Sequence, residues 1–93
     1  MLRIYKFPIE ITDIQTLSIK GYNRCLSVIE QNDKLVIYAY VDIDNENEKQ
    51  VEIAVIGTGN SITGEIMFNW TFLGTVQTKI GFVWHVYYTN HGR

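Results

Sequence analysis

The chain has 93 residues, with eight Lys or Arg against ten Asp or Glu, a formal charge of −2, 46% apolar residues and 19% charged ones. That length holds one core over residues 1–93 and excludes a multidomain enzyme, while the apolar content excludes disorder. A near-neutral chain also lacks the net basic field by which proteins take up duplex DNA or anionic membranes, so neither is an expected partner.

Thirteen Ile, eight Val and eight Thr, set against only Ala39 and Ala54, favour strands over helices. In chain order, strands are predicted near residues 2–7, 14–19, 24–31, 34–42, 50–57, 69–78 and 82–88. The fourth is the clearest. Leu35, Ile37, Ala39 and Val41 alternate with Val36, Tyr38, Tyr40 and Asp42, a period of two that gives one aliphatic face and one largely aromatic face. Three short connections, 20–23, Asn32-Asp33 and Lys79-Ile80-Gly81, carry the turn chemistry of tight antiparallel hairpins. The expected fold is therefore all-β: a small antiparallel meander forming a sandwich or partly open barrel of about seven strands, with little helix.

Two longer connections remain. The first carries Asp42, Asp44, Glu46 and Glu48, but an EF-hand loop counted from Asp42 needs Gly sixth and a carboxylate twelfth, where Asn47 and Ile53 stand. A solvated acidic hairpin tip that guards a sheet end is expected, not a metal site. The second reads Gly57-Thr58-Gly59-Asn60-Ser61-Ile62-Thr63-Gly64, where missing side chains can let backbone amides converge on an anion. No Gly-Lys-Ser/Thr follows and no helix start is evident, so this is neither a P-loop nor a dinucleotide fingerprint. A turn-making role and a small-ligand contact both stand as readings of Gly57, Thr58, Gly59, Asn60 and Ser61.

His85 alternates with Trp84 and faces the side of Val83 and Tyr87. It is read as a half-buried, hydrogen-bonded side chain or as a ligand contact. His91, six residues on, would lie roughly 20 Å away along an extended strand, beyond a shared metal sphere. The single Cys25 excludes an internal disulfide and suits a reducing compartment, with the cytoplasm the default. The first residues carry no signal-type apolar region, and no apolar run approaches the ~18 residues of a membrane span. Cys25 and Ser27, placed on one strand face, have no local base. Glu10 and Asp13 fall in a turn, and Glu30 and Glu52 read as outward positions. No enzyme activity and no cofactor are expected.

Among twelve aromatics, Trp70 and Phe72 with Val76, and Phe82 and Trp84 with Val86, are assigned to packing. Tyr38 and Tyr40 are the candidates for a stacking surface, with Arg24 or Lys6 meeting phosphate; a subunit interface is the other reading of that pair. So small a domain buries a modest fraction of its surface, and a homo-oligomer is expected.

Five blocks give a wider comparison: Ile4-Tyr5-Lys6-Phe7-Pro8-Ile9-Glu10-Ile11-Thr12-Asp13, Leu26-Ser27-Val28, Ile56-Gly57-Thr58-Gly59-Asn60-Ser61-Ile62, Phe72-Leu73-Gly74-Thr75-Val76 and Phe82-Val83-Trp84-His85-Val86-Tyr87. In order and spacing they resemble a family of short bacteriophage proteins of unassigned function, from which this chain departs by an extended loop between Ile62 and Trp70 and a few residues after Tyr88. The resemblance implies a phage origin and a host-cytoplasmic setting. By analogy, it implies counter-defence. The expected function is binding and sequestration, without turnover, of a small nucleotide-derived host immune signal by the Gly57–Ser61 loop, His85, Arg24, Tyr38 and Tyr40. The alternative is a protein–protein inhibitor of a host defence effector, acting through an aromatic face or a sheet edge.

Overall fold

The computed structural model describes residues 1–90. Its elements are β1 (Leu2–Ile9), β2 (Ile14–Lys20), β3 (Tyr22–Gln31), β4 (Lys34–Asp42), β5 (Glu48–Gly57), α1 (Gly64–Asn69), β6 (Thr71–Gln77) and β7 (Val83–Asn90). The all-β, antiparallel, seven-strand expectation holds, with one short helix. The strands form a three-stranded sheet, β1-β4-β3, and a four-stranded sheet, β2-β5-β7-β6, which pack together without closing into a barrel. The order departs from a simple meander, since only β3-β4 and β6-β7 are both consecutive and paired. β5 and β6 each run antiparallel to β7 and hence parallel to one another, so the chain between them crosses β7.

The period of two sets the core. Leu35, Ile37, Ala39 and Val41 of β4 meet Val51, Ile53 and Val55 of β5 and Val86 of β7 inside the sandwich. Leu35, Ile37, Val51, Ile53 and Val86 are fully buried, each worth about 2 kcal/mol of apolar transfer. Cys25 is buried. The Tyr22 hydroxyl accepts from the Cys25 N–H at 3.0 Å and donates to its Sγ at 3.6 Å. Burial pushes both the Cys25 thiol and the Tyr22 phenol above their ordinary values, so the thiol stays protonated and unreactive.

Three local expectations are corrected. The 20–23 turn is not a hairpin, because β2 and β3 lie in different sheets and Gly21 is the corner between them. Its φ is +75°, and a Cβ there would collide with the Asp42 carbonyl oxygen. Gly21 N–H donates to Asn47 O and its carbonyl accepts from Asp42 N–H, both at 2.8 Å, tying the β2–β3 corner to the β4–β5 corner. Next, Cys25 and Ser27 do not share a face, since a bulge between them sends Ser27 outward opposite Tyr38. Finally, a bulge between Phe72 and Gly74 turns Phe72 out of the core, 52% exposed with its ring edge-to-face on Tyr87, and Phe82 precedes β7 and is 60% exposed. Trp84 and Val86 do pack inward as expected.

The Asn32-Asp33 hairpin is present, with φ of +53° and +65°, as a primed turn requires. Gly81, at φ +96°, closes the β6–β7 turn. The two turns meet where Lys79 N–H donates to Asp33 Oδ1 at 2.9 Å. Among the described residues, no helix is long and apolar enough to cross a membrane.

Candidate functional site

The connection from β5 to β6 passes over the outward side of the four-stranded sheet. It begins with a turn in which Asn60 N–H donates to Gly57 O at 3.0 Å and Gly59 adopts φ +91°, the third position at which a type II turn needs glycine. Thr58 N–H donates to Val83 O at 3.2 Å. The amides of Thr58 and Asn60 are therefore spent within the protein, and the loop offers side chains to a ligand more than a ring of amides. Gly57 sits in close packing: a Cβ would stand 2.9 Å from Asn60 Nδ2 and 3.1 Å from Trp84 Cζ3, so a side chain there would displace the Asn60 amide and press on the indole.

Contrary to expectation, a helix start does follow the loop. Thr63 caps α1, its Oγ1 accepting from Ile66 N–H at 3.2 Å, and Glu65 lies in the first turn. A capping threonine followed by an acidic first turn was the available signal. Ile66 is the buried side chain of this six-residue helix. It shares a cleft with Ile14 and Ile56, which point away from the core, so α1 rests on the outward side of the sheet. Ala54 also points outward, yet it is fully buried.

His85 faces this same side. Its Nε2 lies 2.8 Å from Thr58 Oγ1 and its Nδ1 lies 3.0 Å from Thr75 Oγ1. The half-buried, hydrogen-bonded reading is met. Both partners are hydroxyls that donate or accept by rotating, so either tautomer of the ring is satisfied. Thr75 escaped the sequence reading, although counting outward from the Lys79-Ile80-Gly81 loop places it opposite His85. On the other flank His85 pairs with Ile56 of β5.

Three clefts adjoin here, and Asn60 borders all of them. One of about 200 Å³ brings Thr58, Gly59, Asn60, His85 and Tyr87 together. A second, of about 450 Å³, holds Ser61 and Ile62 on the α1 side. The third, of about 470 Å³, opens at the end of the sandwich between Gly57, Phe82 and Trp84. Trp84 Nε1 is buried there with no hydrogen-bond partner among the described residues. Of the described residues lining these clefts, Asp13 is the one carboxylate and none is Lys or Arg.

The remaining candidates are not brought to the loop. Arg24, Tyr38 and Tyr40 lie on the outward side of the other sheet, where the Arg24 guanidinium sits 5.3 Å from the Tyr40 ring centroid. Alternation fixes which face of its own sheet a residue takes, and here the two sheets turn those faces to opposite sides of the sandwich. His91 lies outside the described residues. In the acidic connection, Asp42 and Asp44 hold the Met1 ammonium at 3.0 and 2.7 Å and Glu46 meets Lys20 at 3.4 Å. No group of three or more metal-ligating side chains occurs among the described residues.

Neither a curated protein nor a solved structure matches this chain. A family model does, over residues 1–93, and its description is a domain of unknown function, DUF7352. The chain, with its loop-and-histidine cleft on one sheet and its aromatic face on the other, belongs to the DUF7352 family.

Proposed function

We propose that this protein binds a small nucleoside-containing molecule in the cleft between the Thr58–Ile62 loop, His85 and Tyr87, and acts by holding it. The observation that carries this reading is the His85 ring fixed at both nitrogens by Thr58 and Thr75 beside an aromatic wall. A flat heterocycle finds there the Tyr87 ring to lie against, with the Thr58 hydroxyl and the Asn60 amide to donate or accept as required. With no Lys or Arg among the described residues lining the clefts, recognition falls on the base and sugar, and any phosphate is left toward solvent. Among the described residues His85 is oriented by two threonine hydroxyls and not by a carboxylate, unlike the base of a hydrolytic triad, which favours retention of the ligand over turnover. In the phage setting implied by the resemblance, retention of a nucleotide-derived immune signal would disarm a host response.

The test is calorimetric titration and thermal shift with a panel of nucleosides, mononucleotides and cyclic dinucleotides. One member is expected to raise Tm and to be recovered chemically unchanged, and His85→Ala is expected to abolish the shift. A panel without effect, or a ligand returned altered, would refute retention of a nucleoside-type ligand.

A second reading is an inhibitor of a host protein. It is favoured by the apolar tip of the β6–β7 turn, where Ile80 is 74% and Phe82 60% exposed. Ile80→Ser with Phe82→Ser would then abolish capture of a host effector while leaving the residues that line the His85–Tyr87 cleft in place.

A further inference from the structure

The net charge of −2 conceals a segregation of sign. On the outward side of the three-stranded sheet the ionised side chains among the described residues are Lys6 of β1, Arg24 of β3, and Lys34 and Asp42 of β4. Asp42 is occupied by the Met1 ammonium at 3.0 Å. Between the three cations stand Tyr38 and Tyr40, half-buried at their bases, with Ile4 and Ile29 at 51% and 40% exposure flanking them. Lys6 pairs across to Tyr38, and its Nζ reaches Gln31 Oε1 at 3.2 Å over the same surface.

We propose that this face binds single-stranded nucleic acid, with bases stacking on Tyr38 and Tyr40 and phosphates meeting Lys6, Arg24 and Lys34. Two residues apart on β4, the tyrosines are displaced by about 6.8 Å along the strand and project from the same side. That spacing presents two rings to successive bases of an extended strand. Arg24, stacked on Tyr40, adds a planar cation that serves base or phosphate alike. Charge selects this occupant over an apolar protein surface: Lys6 and Arg24 flank the rings, Lys34 stands further along β4, and the one carboxylate on the face among the described residues is already paired. A duplex, whose bases are closed to stacking, gains nothing from the tyrosines. The site shares no residue with the His85 cleft, so the two readings stand or fall separately.

The experiment is fluorescence anisotropy of the intact protein with end-labelled 15-nucleotide dT and rU strands, and with a 15-base-pair duplex, across a salt series. Single strands are expected to bind at least about tenfold tighter than the duplex. The slope of log affinity against log salt is expected near −2, from three contacts of about 0.7 each. Tyr38→Ala should weaken binding by about tenfold or more. Lys6→Ala with Arg24→Ala should flatten the slope to about −0.7, and His85→Ala should leave binding unchanged. Melts accompany each variant, and if Tyr38→Ala does not fold, the exposed Lys6→Glu and Arg24→Glu replace it. Absence of single-strand binding, equal affinity for duplex, or insensitivity to these substitutions would overturn the proposal. So would a dimer dissolved by Tyr38→Ala, which would assign the face to a second copy.

Discussion

The two outward faces of this sandwich start from the same strand chemistry and end differently. On the four-stranded sheet, the chain between β5 and β6 must cross β7, and the loop and α1 that make the crossing bound a cleft with Ile14 and Ile56 and a second one with His85. On the three-stranded sheet no segment among the described residues makes such a crossing, and Ile4 and three cations stay exposed beside the half-buried Tyr38 and Tyr40. The contrast teaches that a connection, not strand composition, decides which face becomes a pocket and which becomes a platform.

The largest disturbance should come where both faces share a support. Gly21→Ala forces a left-handed backbone and a collision with the Asp42 carbonyl at the corner joining the sheets. A loss of about 3 kcal/mol or more is expected in urea melts, weakening both faces together. Ile66→Ala separates the faces: about 2 kcal/mol is expected to go, with faster amide exchange around residues 54–57 and none of that change around 36–40. Alkali tests the core between them. The Cys25 thiol and Tyr22 phenol have folded values raised above their unfolded ones, so the folded state holds protons that the unfolded state releases. Stability is full below pH ~9, the thiol's ordinary value, and falls as pH rises further; Tm measured from pH 7 to 11 should decline only above that point. Thr75→Val should cost about 1 kcal/mol in stability yet reduce ligand-induced protection at the cleft, because it frees one side of the His85 ring. Smallest of all, Arg24→Ala should shift stability by about 0.5 kcal/mol, leaving the cleft untouched.

Much of the fold was legible because its signals are local. Alternation around Leu35–Val41 located β4, and Asn32-Asp33 announced a turn that needs two positive φ angles. Gly21 was misread for an equally physical reason: a glycine turn specifies its own dihedral angles, not the partner of the strand that follows. The bulges at Cys25/Ser27 and Phe72/Gly74 reverse the facing of every residue beyond them, and a period count has no access to an inserted residue. In the candidate site, His85 and its outward facing were visible from alternation. Its meeting with Thr58 depends on the path of the crossing loop, and the separation of Arg24 and the tyrosines depends on which sheet each strand joins.

The position of β7 bears on how the molecule comes into being. It is the seventh strand in chain order and the inner partner of both β5 and β6. During synthesis β3 and β4 can zip at once as a hairpin, whereas β5 and β6 must wait, each with an open hydrogen-bonding edge, for residues 83–90 to leave the ribosome. The His85 ring arrives with that strand and reaches Thr58 and Thr75 only as the gap closes. The larger sheet and its cleft are thus completed by the same late event, after the aromatic platform has its scaffold of local pairs.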